Sequence, residues 1–313
     1  MRLDTVVVAA FLLLSGGCSP ESSSPNEMPA DAGADAALPA PRLPPSMDGG
    51  PVPAGLTGMQ FAARTTSVGT GPGEGWSDVG FALPGARACR QSAATTPAQA
   101  DNAFGRLVVP ALAGVLGPFS GSAQDGKLSH LFLPSADALL LFPARGATTP
   151  DGVPVPVSEA EWANGGYTWY PLSVSPKAVL AAPLFSEGLI VARGTVPILL
   201  SFGGAPFRIS IRNAVLAASV QPPSFAIQAG GTVAVDDLLG ALPQALLRAG
   251  LKTCVPPADL THAIAAAADI LVDGTSDSTR DCDGISTGVL LSGHAAKQGA
   301  PVEDFQALPC PGQ

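Results

Sequence analysis

The chain has 313 residues, with 25 acidic against 16 basic side chains, a net charge of −9 and a pI near 4.7. Lys and Arg never cluster, which argues against a nucleic-acid surface. It is 46% hydrophobic and 13% charged, with 36 glycines and 32 prolines, a composition of many turns and short strands rather than long helices.

The first element is an export signal. Val6 to Leu14 is an unbroken apolar run of nine residues, too short to span a bilayer, which needs about 20. Small residues follow, then Cys18, in the order of a signal peptide with its cleavage region. Ser15-Gly16-Gly17-Cys18 resembles the bacterial lipobox, although Ser15 stands where leucine is usual and Asp4 offsets Arg2. The resemblance implies a mature N-terminus at Cys18 carrying acyl chains, each buried CH₂ worth about 0.8 kcal/mol of anchoring. Ser19, in place of Asp, implies outer-membrane sorting. Ordinary secretion with cleavage near Gly17 is the alternative. The expected organisation is a leader over 1–17, a tether over 18–55 and a body over 56–313, with a possible division into halves near 162–175.

The tether is read from composition. Ser19 to Gly55 holds nine prolines in 37 residues and no aromatic, too little apolar surface to offset ordering entropy. An extended Pro-rich segment rises about 3.1 Å per residue, so this one could reach on the order of 100 Å.

In the body, Leu56–Arg64 and Ser77–Leu83 read as strands. A helix starts after Thr96, with Pro97 at its first position and Gln99 completing a capping box. Phe104, Leu107, Val108, Ala111, Leu112 and Val115 recur at helical spacing, and Pro110 is expected to kink or shorten the helix. Leu128–Pro143 is apolar without clear alternation, leaving strand or helix open. Val196–Val220 is the strongest strand signal, with Phe207, Ile209 and Ile211 alternating with Arg208, Ser210 and Arg212. Gly203-Gly204-Ala205-Pro206 reads as its four-residue hairpin loop. Helices follow over Asp236–Gly250 and from Pro256 to Leu271. An acidic turn, Asp273 to Asp283, then leads to a strand over Ile285–Ser292. The order predicts a mainly β fold: an antiparallel, sandwich-like domain with short covering helices, α+β being the alternative.

Cys89, Cys254, Cys282 and Cys310 are an even set in an exported chain, which predicts two disulfides. The reading taken is Cys254–Cys282 with Cys89–Cys310. Zinc ligation is the alternative, but there is no CxxC pair.

Two patches invite a ligand. Asp273, Asp277, Asp281 and Asp283, interleaved with Gly and Ser, offer the oxygens calcium takes in a flexible loop, though no EF-hand spacing is present; a solvated turn is the plain reading. Trp162, Tyr167, Trp169 and Tyr170 could stack on sugar rings, or fill a core. No GxSxG, HExxH or P-loop spacing occurs, and His130, His262 and His294 stand apart in sequence.

Asp101-Asn102-Ala103-Phe104-Gly105, Phe207 to Val215, Ala267-Ala268-Asp269-Ile270 and Cys282-Asp283-Gly284-Ile285-Ser286-Thr287-Gly288 resemble segments of a group of exported proteins of myxobacterial type. That resemblance implies an exported β-rich architecture and no catalytic residue. The expected function is a non-catalytic, lipid-anchored structural or interaction module at the cell surface, bound to the membrane through its N-terminal lipid, with a glycan or envelope protein as possible partner. Sugar- or calcium-dependent ligand binding is the first alternative and an exported hydrolase the second.

Overall fold

The structure, a computed structural model, describes residues 48–70, 75–83, 89–90, 101–173 and 178–311. Cys18, the leader and the tether up to residue 47 lie outside the described residues, as do Thr96, Pro97 and Gln99. Asp48 to Gly55, grouped with the tether by composition, already belong to the folded body: Gly50 exchanges both backbone hydrogen bonds with Phe185, and Val52 is buried.

The described residues form twelve strands and four α-helices. The strands are β1 Phe61–Ser67, β2 Phe119–Ser120, β3 Ser129–Pro134, β4 Ala138–Arg145, β5 Thr168–Pro171, β6 Ala178–Ala181, β7 Leu184–Ser186, β8 Leu189–Phe202, β9 Ala205–Gln221, β10 Ser224–Ala234, β11 Gly284–Ala295 and β12 Lys297–Gln298. The helices are α1 Val109–Leu116, α2 Glu159–Asn164, α3 Val235–Arg248 and α4 Ala258–Ala266. The fold is mainly β with short helices, as the sequence predicts.

One sheet runs β12-β5-β4-β3-β1-β11-β10-β9-β8-β2, with β6 on β4 and β7 on β8. It is antiparallel except where β12 meets β5. The sheet curls back so that β8 lies against β3, β4 and β6. Segment 119–123 helps close the curl: Phe119 and Ser120 pair with β8, while Thr66 N donates to Gly121 O (2.7 Å) and Ala123 N to Arg64 O (2.9 Å) on β1. The main core fills the inside of the curl, around the mutually packed rings of Phe61, Phe132 and Phe225. Leu112 of α1, Leu242 and Leu246 of α3 and Ile264 of α4 join it.

The β8–β9 hairpin turns through Gly203 and Gly204, both at positive φ (56° and 82°), so its loop has two residues rather than four; paired positive-φ residues match the twist of the flanking strands. Leu128–Pro143 resolves into the β3–β4 hairpin. Its alternation fails because both faces are covered, one by the main core and one by an aromatic cluster. Ser77–Leu83 is not a strand: a 3₁₀ turn, Trp76–Asp78, precedes extended coil. At the first long helix, Pro110 has no N–H for Arg106 O, and the chain makes a π-helical turn over Phe104–Val108 before α1 begins.

Two disulfides form, but with the other pairing: Cys89–Cys282 and Cys254–Cys310. The expected Cys254–Cys282 link fails because the C-terminal tail crosses α3 instead. Arg208 holds Asp304 (2.5 Å), Arg248 donates to the carbonyls of Phe305 and Gln306, and Gln244 exchanges two hydrogen bonds with Leu308. That path delivers Cys310 to Cys254, beyond α3, and leaves Cys282 for Cys89.

Candidate functional site

Two polar regions and one cavity bring together side chains capable of chemistry. The first region is the acidic turn after α4. Asp273 accepts from Thr275 N (2.9 Å) and Thr275 Oγ1 (2.5 Å), and its other oxygen from Arg280 Nη1 (2.7 Å). Asp277 caps Thr279 in the same way (2.9 and 2.7 Å). Asp283 accepts from Val272 N (2.8 Å), and Asp281 faces Arg90 at 3.2 Å. Thr275 above all, then Arg280, holds the Asp273 carboxyl well below the usual carboxylate range; the hydrogen bonds of Thr279 lower Asp277. The four carboxylates expected to offer calcium a shared cradle are turned onto separate internal donors, and the cation among them is Arg280. Among the described residues, no three His, Cys, Asp or Glu side chains converge as metal ligands. The Cys89–Cys282 bond, with Arg90 N on Arg280 O (2.9 Å), braces this turn.

The aromatic patch is interior. Trp162, Tyr167 and Trp169 are 2%, 6% and 0% exposed and pack with Leu131, Phe142 and Ala144 on the outer face of β3 and β4. Ring centroids lie 5.9 Å apart for Trp162–Trp169 and 5.1 Å for Tyr167–Trp169. The Tyr167 hydroxyl donates to Val155 O (2.8 Å) and accepts from Ala147 N (3.1 Å). A capping box between Ser158 and Glu161 starts α2 and sets Trp162 inward. These rings cover a sheet face that β1, β3 and β4 would otherwise leave wet, so they present no stacking platform to a sugar. Tyr170 alone of the four is half-exposed.

The second polar region is buried, and its members were visible in sequence only as parts of the resemblance. Asn102 Oδ1 accepts from Gly105 N (2.9 Å) and Gly288 N (3.1 Å), and its amide donates to Val68 O (3.1 Å). Asp101 Oδ2 accepts from Leu83 N (2.8 Å). Asp269 accepts from Ser286 N (2.7 Å) and Ser286 Oγ (2.6 Å), while Ser286 Oγ accepts from Ala103 N (3.0 Å). Burial, opposed by the Ser286 hydrogen bonds, pushes the Asp269 carboxyl up to about 6. A Cβ on Gly288 would fall 2.1 Å from Val79 O, so this strand position admits only glycine. The junction fastens the start of the π-helical turn to β11 and to the end of α4.

The three histidines have different surroundings. His130 is buried, its Nε2 accepting from Leu199 N (3.0 Å), and burial lowers its pKa to about 4. His262 is exposed on α4. His294 Nδ1 sits 3.3 Å from Ser224 Oγ.

The cavity lies where three connections meet: Gly126, Lys127 and Leu128 before β3, Arg145 to Pro154 after β4, and Gly204 and Pro206 at the β8–β9 turn. Phe305 of the tail forms a further wall, and the volume is about 220 Å³. Sequence reasoning named Leu128, Gly204 and Pro206 only as parts of secondary-structure elements, because only the fold brings the lining together. No family model, no curated protein and no solved structure matches the chain.

Proposed function

We propose that the protein is an envelope-anchored lipoprotein, probed outward on a Pro-rich tether, whose β body serves as a non-catalytic structural or interaction module. One observation carries the reading: the apolar run Val6–Leu14 closes on Ser15-Gly16-Gly17-Cys18, ahead of a body stapled by two disulfides. Disulfides persist outside the reducing cytosol, which agrees with export. The carboxylates and rings richest in chemical potential are spent on internal contacts, which favours a scaffold over a reaction centre. The first described residues join the body at β7, where Gly50 pairs with Phe185. Ser19 favours the outer membrane as the site of anchoring.

The test is mass spectrometry of the N-terminal peptide of the protein purified from its native membranes, together with fractionation of Cys18→Ala. The expected result is a first residue Cys18 bearing acyl chains, and a variant that leaves the membrane fraction. An unacylated N-terminus near residue 18 would replace anchoring with ordinary secretion; an intact Met1 in a soluble fraction would remove export altogether.

A further inference from the structure

The cavity beside the β8–β9 turn differs from the rest of the molecule in charge. The chain is acidic overall, yet two of its cationic side chains, Lys127 and Arg145, belong to residues lining this one space. Lys127 Nζ stands 3.9 Å from the Cβ position of Gly204 on the opposite wall, and 3.4 Å from Asp125. Arg145 is half-buried at the end of β4, opposite Tyr170 on β5, and makes no ion pair among the described residues. Every other wall is neutral: Leu128, Pro154, Pro206 and Phe305 are apolar, Thr148 adds a hydroxyl, and glycines complete the lining.

The charges define the occupant. Lys127 and Arg145 with Asp125 leave a net of one positive charge, which matches a monoanion. A guanidinium fork fits a carboxylate with two parallel hydrogen bonds. The volume defines its size: an apolar cavity of about 150 Å³ accepts a benzene-sized molecule, so about 220 Å³ admits one ring, or a short chain, together with its carboxylate. The walls are held in place, since Phe305 stacks under Arg248 (5.7 Å from ring centroid to guanidinium carbon) and the tail is locked by Cys254–Cys310. The geometry points to a binding site for a small organic monocarboxylate, its head at Arg145 and Lys127 and its apolar part against Phe305, Pro154 and Pro206.

Isothermal titration of the full mature chain, in a buffer free of carboxylates, tests this with three probes: benzoate, its neutral isostere benzamide, and inorganic phosphate. Benzoate is expected to saturate a single site. Benzamide and phosphate are expected to bind at least about tenfold more weakly, because each lacks either the charge or the apolar body. Arg145→Gln should weaken benzoate by about tenfold or more with an unchanged melting temperature, while Arg193→Gln, which lines none of this cavity, should bind as the parent does. No benzoate signal, equal binding of benzamide, or an Arg145→Gln variant that binds normally would each overturn the assignment. Should Arg145→Gln fail to fold, the exposed Lys127→Gln is read in its place: a severalfold loss supports the site and unchanged affinity overturns it. Loss of the site would leave the lipid-anchored reading untouched, since the two rest on different residues.

Discussion

Asp269 gives the sharpest test of the buried junction, through Asp269→Asn. Its carboxyl is raised from 3.8 to about 6, first by burial. A folded-state pKa above the unfolded one means that the native protein holds the proton more tightly than the unfolded chain does. The group therefore favours folding fully only below about pH 4, and that contribution is lost as pH rises through about 6. The difference of about two units, at 1.36 kcal/mol each, sets the loss at no more than about 3 kcal/mol. Asparagine mimics the protonated carboxyl, since its oxygen can still accept from Ser286 N and its amide can donate to Ser286 Oγ. Equilibrium urea unfolding of both proteins at pH 4, 5, 6 and 7.5, disulfides intact, gives the difference in stability at each pH. That subtraction cancels Asp273 and Asp277, whose depressed values give stability that is lost as pH falls. The parent is expected to match the variant near pH 4 and to fall behind it by about 2–3 kcal/mol at pH 7.5, mostly between pH 4 and 6. A difference independent of pH, or one in which the parent gains on the variant as pH rises, would refute the account of this carboxyl.

His130 has the opposite slope. Its folded pKa of about 4 lies below its ordinary 6.5, so the stability it contributes is present above about pH 6.5 and lost toward pH 4; His130→Gln, which keeps an acceptor for Leu199 N, should lose about 3 kcal/mol less than the parent over that window in the same unfolding assay. For the disulfides, a non-reducing peptide map should yield Cys89–Cys282 and Cys254–Cys310 linked fragments, and a Cys254–Cys282 fragment would refute the tail path over α3. With sequence separations of 193 and 56, the chain-entropy account assigns them about 5 and about 4 kcal/mol, so the Cys89→Ser, Cys282→Ser double variant should unfold at lower urea than the Cys254→Ser, Cys310→Ser one.

A wet face makes several parts of the fold legible in sequence, although β11 was also read as a strand with Gly284–Val289 buried throughout. β9 announces itself because Arg208, Ser210 and Arg212 interrupt its apolar residues, and α3 because its Leu spacing has a polar complement. β10 escaped notice: all of Ser224–Ala234 is buried, so nothing alternates, and Gly230-Gly231 imitates a turn. Those glycines serve close packing instead, as a Cβ on Gly231 would lie 2.6 Å from Arg212 O. Local patterns also could not say whether Trp162 and Trp169 face solvent, since stacking platforms and core fillers are built from the same residues. The cavity left no trace in the sequence, because Arg145, Lys127 and Phe305 meet only through hairpin ends and a tail that are distant along the chain.

Short segments distant in the chain meet at the junction for a physical reason. Asn102 must accept two backbone N–H groups at once, Gly288 must have no side chain, and Asp269 must reach both donors of Ser286. Asp101–Gly105, Ala267–Ile270 and Cys282–Gly288 supply those groups, and Asn213 of β9 donates its amide to Val272 O (3.0 Å) in the turn after α4. Each requirement is one of folding: it fixes a helical turn and α4 against β11. None of the cavity's lining residues falls within these segments. The junction and the cavity are therefore built from different residues, one fixing the fold and the other open to a ligand, so the proposed carboxylate site is to be tested at Arg145 and Lys127 and not at the junction.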